Sequence, residues 1–193
     1  GVPAPNWLQW RNTGLLGVLL LTCGNGGVTV AEHQGVASGV AALAIATVPL
    51  FALLFGLFWG QRNTRLEWAG ILLGLLGIAL LNSGSNLQSS PQGALLVLFS
   101  AASWAFGSLW SKHLGLPAGA MTSAAQMLVG GSVLLLASLL SGERLHSMPT
   151  LAGWAALGYL VLFGSIIAFS AYLYLLKTVR PAAATSYAYV NPP

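Results

Sequence analysis

Aspartate is absent from this sequence, and the acidic residues number three, Glu32, Glu67 and Glu143. Charged residues make up 5% of the chain, against about a quarter in soluble domains. No soluble surface can be built from so few charges, so most side chains must meet hydrocarbon. With no paired carboxylates at helical spacing, and with His113 and His146 in loops, the residues needed for acid–base, nucleophilic or metal-assisted catalysis are missing. The expectation is a protein that is not an enzyme and needs neither metal nor cofactor. The lone cysteine, Cys23, has no disulfide or metal partner and reads as a small apolar residue. The net charge of +4 is not gathered into a basic run, and no aromatic platform lies outside the apolar segments, which excludes nucleic acid as a partner. A charged-then-apolar leader is also missing, and Asn191, Pro192 and Pro193 lie in an apolar segment that has just begun. The chain therefore reads as a fragment.

Hydrophobic residues reach 56% and fall in runs of helical length, not in the alternating ten-residue segments of a barrel. The fold class is all-α, a polytopic helix bundle in a lipid bilayer. After a polar connector at 1–12, spans are predicted at about 14–31, 36–59, 66–81, 93–110, 118–140 and 151–176, with a seventh starting at Pro181. The uncharged stretch NSGSNLQSSPQ has the composition of a linker, dividing the chain into 1–82, a linker at 83–92, and 93–193.

Basic residues test that span count. If the leading connector is cytoplasmic, Arg11, Arg62, Arg65, Lys112, Lys177 and Arg180 fall inside and only Arg144 outside, as the positive-inside rule requires. Of the seven tryptophans, only Trp104 sits mid-span. An offset of 143 residues lays the first two spans over the sixth and seventh, so that Thr22 meets Ser165 and Pro49 meets Pro192. Five spans separate the copies, an odd number, which makes the repeat an inverted one.

The runs GVASGVAALAIATVPLFALLFGLFWG, LEWAGILLGLLGIALL and VRPAAATSYAYVNP resemble the EamA type of the drug/metabolite transporter superfamily. Within it, NGGVTVAEHQ, SWAFGSLW and FGSIIAFSAYLYL are most similar to the YedA-like inner-membrane transporters. The resemblance implies a ten-helix transporter of two inverted five-helix repeats in the bacterial inner membrane, of which this chain would hold helices three to eight and the start of nine. It further implies an exporter or exchanger of small metabolites such as amino acids or sugar-related compounds. One departure is that Gln61 follows Gly60 where many members carry glutamate.

Candidate residues follow from polar groups at membrane depth. Thr22, Asn25, Thr29, Glu32 and His33 share one arc of the first span, with Thr22 and Asn25 near the midplane. They are read either as interhelical glue or as the wall of a substrate cavity. Glu32 is the proton-coupling candidate, against a plain interfacial role. Thr47 near the middle of the second span, and Asn191 in the seventh beside Tyr187 at i,i+4, are further cavity candidates. Pro49 and Pro192 are hinge candidates. Ser103 and Trp104 on the fourth span, and Ser165, Phe169 and Tyr172 on the sixth, form two more polar or aromatic faces. Gly70, Gly74 and Gly77 are expected to form a helix-packing stripe. The leading expectation is alternating access carrying a small-molecule substrate, with a homodimer as an admitted assembly. The competing one is a non-transporting membrane scaffold.

Overall fold

The computed structural model describes residues 4–81, 90–144 and 148–190. Among these, five helices are long and apolar enough to cross a membrane: Trp7–His33, Ser38–Phe58, Pro91–His113, Ala120–Leu140 and Leu151–Thr178. They correspond to the first, second, fourth, fifth and sixth spans. The third, Arg65–Leu81, is a helix of 17 residues, at the lower end of the length that spans hydrocarbon. A seventh helix begins at Pro181–Thr185 and tightens into a 3-10 turn at Ser186–Tyr189.

Local chemistry fixes where these helices start. Asn6 caps the first through a reciprocal pair with Gln9, so this helix begins at Trp7, inside the stretch expected to be a connector. Ser90 caps the fourth through the Gly93 amide, with Pro91 at the position that needs no N–H. Thr64 and Glu67 form a similar box at the head of the third. Thr150 caps the sixth through the Gly153 amide.

Two helices depart from α geometry in matching places. The first is π-helical at Val18–Gly26 and the sixth at Leu160–Ala168. The second breaks at Ala46 and Thr47, between Ser38–Ile45 and Val48–Phe58. Ser38 and Pro181, which open the second and seventh helices, are 143 residues apart, the offset at which the sequence echoes itself.

Lipid tails are as apolar as leucine, so helices associate in a bilayer through close packing and polar contacts. The first and fifth helices meet at Gly17 and Gly130, where a Cβ on Gly17 would lie 2.5 Å from the Gln126 carbonyl oxygen. Alanines pack the second helix onto the fourth through Ala52, Ala101 and Ala105. Leu16 and Leu20 of the first helix pack against Phe169, Tyr172 and Leu176 of the sixth. The glycine stripe of the third helix is only partly used. Gly74 lies under the Tyr189 ring, whereas Gly70 and Gly77 face open space among the described residues.

Contacts also collect the basic loops at one end. Arg180 pairs with Glu67 at 2.9 Å and donates to the Arg62 carbonyl. Lys112 reaches the Val179 carbonyl, and Asn12 donates to that of Gly115. Trp59 stacks on His113 with ring centroids 5.2 Å apart.

Candidate functional site

The two π-helical segments border an open cavity of about 650 Å³. Its first wall comes from Leu21, Gly24, Asn25 and Val28 on the first helix. Ile45 and Val48 flank it on either side of the break in the second helix. Ser100, Ala101 and Trp104 contribute from the fourth, and Met127 from the fifth. Gly164, Ser165, Phe169 and Tyr172 close it from the sixth, with Tyr187 from the seventh. A π-helical turn holds more residues than an α turn and is frequent at functional sites. Here it widens the stretch of each helix that borders the cavity.

Gly24 has a specific part in this geometry. A Cβ there would lie 3.0 Å from the Trp104 indole, so glycine lets the ring sit against the first helix. Trp104 is held by a closed hydrogen-bond circuit. Its indole N–H donates to the Tyr172 hydroxyl at 3.0 Å, Tyr172 and Ser108 share a hydrogen bond at 2.6 Å, and Ser108 donates to the Trp104 carbonyl at 2.7 Å. Because the Ser108 proton is committed to that carbonyl, Tyr172 is the donor to Ser108. All three groups are satisfied, which makes the circuit rigid.

Around that circuit stand the other rings. Trp104 meets Phe169 at 6.2 Å and Tyr172 at 5.5 Å, and Tyr172 meets Tyr187 edge-to-face at 5.4 Å. Asn25 and Ser165 also line the cavity, and neither side chain has a hydrogen-bond partner among the described residues. No charged side chain lines the cavity among those residues.

The structure thus brings Asn25, Trp104, Ser165, Phe169, Tyr172 and Tyr187 together on one cavity. Four other candidates stand off it because each is committed to backbone. Thr22 donates to the Gly130 carbonyl and Ser103 to that of Leu19, both tying helices together. Thr29 donates back to the Asn25 carbonyl and Thr47 to that of Ala44 within their own helices. Glu32 and His33 are exposed at the C-terminal end of the first helix. Pro49 is buried just after the break in the second helix. Asn191 and Pro192 lie outside the described residues.

Sequence reasoning missed Met127, Ile45 and Val48, which carry no polar signal. It also missed Gln126. That side chain is fully buried on the fifth helix, and neither its amide nitrogen nor its oxygen has a partner among the described residues. Gln126 is polar within an otherwise apolar run, and that was the signal available.

Comparison with known proteins adds a family. A model of the EamA-like transporter family matches residues 1–83 and 91–192. The chain is 56% identical over 181 residues to the "Uncharacterized inner membrane transporter YedA" of Escherichia coli (strain K12), covering 94% of this chain and 59% of that protein. It is 28% identical over 163 residues to the "Uncharacterized transporter YdfC" of Bacillus subtilis (strain 168), covering 83% of this chain and 53% of the relative. To "Protein PecM" of Dickeya dadantii (strain 3937) it is 29% identical over 159 residues, covering 80% and 53%. The chain spans between half and three-fifths of the length of these relatives. No solved structure matches it.

Proposed function

This chain belongs to the EamA-like transporter family, and we propose from that premise that its cavity carries a small metabolite, an amino acid or a sugar-related compound, across the inner membrane by alternating access. The observation that carries the proposal is the composition of the cavity wall. It takes Asn25 and Val28 from one family-matched segment and Trp104, Ser165 and Tyr172 from the other. Two such halves rocking against each other would expose the space to either side in turn. The cavity volume of about 650 Å³ suits a small solute.

Flux assays on the full-length protein in proteoliposomes, with a panel of amino acids and sugars, test this directly. Saturable exchange of at least one neutral or zwitterionic solute is expected, and no flux for any of them overturns the proposal. The scaffold reading draws on Thr22 and Ser103, whose hydrogen bonds serve packing. Asn25→Ala separates the two, because Asn25 packs against no polar partner. Normal expression with lost flux supports the cavity, and lost folding alone supports packing. Proton coupling through Glu32 is a further part of the proposal. Glu32→Gln then abolishes pH-driven flux, and unchanged pH-driven flux removes the idea.

A further inference from the structure

We propose that Ser108 is a positioning residue for the cavity, fixing the orientation of the Trp104 indole in the cavity wall by way of the Tyr172 hydroxyl. Its effect on flux rests on the transport reading, whereas its effect on the indole rests on contacts within the chain. Ser108 is fully buried and stands off the cavity, one helical turn beyond Trp104 on the fourth helix. A serine inside a helix often bonds back to the carbonyl four residues earlier and does nothing more. Ser100 makes that bond to Leu96, and Ser108 makes it to Trp104. What sets Ser108 apart is a second contact, 2.6 Å to the hydroxyl of Tyr172, which comes from the sixth helix.

That contact decides where the Tyr172 proton points. A phenol carries one proton and can accept as well as donate. With the Ser108 proton spent on the Trp104 carbonyl, the Ser108 oxygen takes the Tyr172 proton, which leaves a lone pair of the Tyr172 oxygen for the indole N–H at 3.0 Å. Without the Ser108 oxygen the buried Tyr172 hydroxyl loses this acceptor, and its proton, turned the other way, would meet the indole N–H head-on. Either arrangement leaves a buried donor unpaired, which costs more than an ordinary hydrogen bond contributes.

The orientation matters because Trp104 is itself part of the wall. Its ring lies so close to the first helix that a Cβ on Gly24 would be 3.0 Å from it. A ring so placed cannot swing without changing the shape of the space beside it.

Nuclear magnetic resonance of the full-length protein, with the tryptophan indole nitrogens isotopically labelled, tests this without requiring transport. The Trp104 resonance is the one lost in Trp104→Phe. In Ser108→Ala it should move, and its N–H should exchange with solvent about fivefold faster, a typical net hydrogen bond expressed as a ratio. Ser108→Cys, with a weaker acceptor in the same place, should move it in the same direction by less, and it carries the readout if the alanine variant does not fold. Tyr172→Phe should also move it, and adding Ser108→Ala to Tyr172→Phe should move it no further, because Ser108 acts through that hydroxyl. Ser111→Ala, which removes a bond to the Ser108 carbonyl on the same stretch of chain, should leave it in place. In proteoliposomes, for whichever solute of the amino-acid and sugar panel is carried, Ser108→Ala should raise KM about fivefold and keep the maximal rate, as lost uniform binding does. An unmoved resonance in the folded Ser108 variants, an equal shift in Ser111→Ala, additive shifts in the double variant, or a moved resonance with unchanged KM would each overturn the proposal. The expected shifts in a protein that carries no panel solute would uphold the positioning of the indole and overturn the transport reading instead.

Discussion

Gln126 is the residue whose surroundings least match its chemistry. Its amide is fully buried without a partner among the described residues, and an unsatisfied buried amide costs about 1–3 kcal/mol. Gln126→Met, which keeps the length and removes the polar atoms, should therefore stabilise the protein by up to that amount, read as a higher melting temperature in detergent. Tyr172 is the opposite case, with its hydroxyl engaged on both sides. Tyr172→Phe leaves the Trp104 N–H and the Ser108 hydroxyl short of a partner. A loss of about 1–2 kcal/mol is expected, near the upper end for hydrogen bonds between membrane helices, and chemical denaturation of the two proteins would measure it.

Between helices, close approach is set by atoms that are not there. Gly17 and Gly130 allow the first and fifth helices to touch backbone to backbone. Gly130→Ala would drive a Cβ to within 2.7 Å of the Gly17 carbonyl oxygen, and overpacking of this kind costs about 1–3 kcal/mol. A lower melting temperature is the expected result, whereas Gly131→Ala, with open space around it, should change little. Much of this level was legible beforehand. Long apolar runs gave the spans, and the placement of Arg62, Lys112 and Arg180 gave their alternation, because both signals come from the solvent around the helix. Trp104 and Tyr172 also stood out, being bulky groups at membrane depth. The π-helical segments did not, since Val18–Gly26 and Leu160–Ala168 have the composition of any apolar helix and their geometry comes from what packs around them. For the same reason Thr22 and Thr47 looked available from spacing alone, although neighbouring carbonyls had claimed their hydroxyls.

Across the whole molecule, the two family-matched segments are tied at the basic end by Glu67 and Arg180. The pair is asymmetric, with the glutamate side chain 16% exposed and the arginine 55%. A partly exposed pair of this sort is worth about 1 kcal/mol, weak enough to break and reform in the transport cycle proposed above. Glu67→Gln should therefore leave the melting temperature nearly unchanged while making the cavity easier to reach from the basic end. Faster labelling of a Ser165→Cys reporter, in a cysteine-free background, by a thiol reagent added on that side would register the change; equal rates would mean that the tie plays no part in access.

The matching π-helical stretches carry one last consequence, which concerns chain length. Removing a single residue from 18–26 would take out the residue that the wide turn holds in excess, so that the stretch relaxes to an ordinary helix and the residues within it, Asn25 among them, shift relative to the cavity wall while the flanking helix keeps its facing. Asn25 would then swing off the wall, and a neighbour would take its station without any cavity residue having been substituted. One-residue insertions and deletions in these two stretches, more than exchanges of side chains, are thus the coarse adjustment of what this protein can hold.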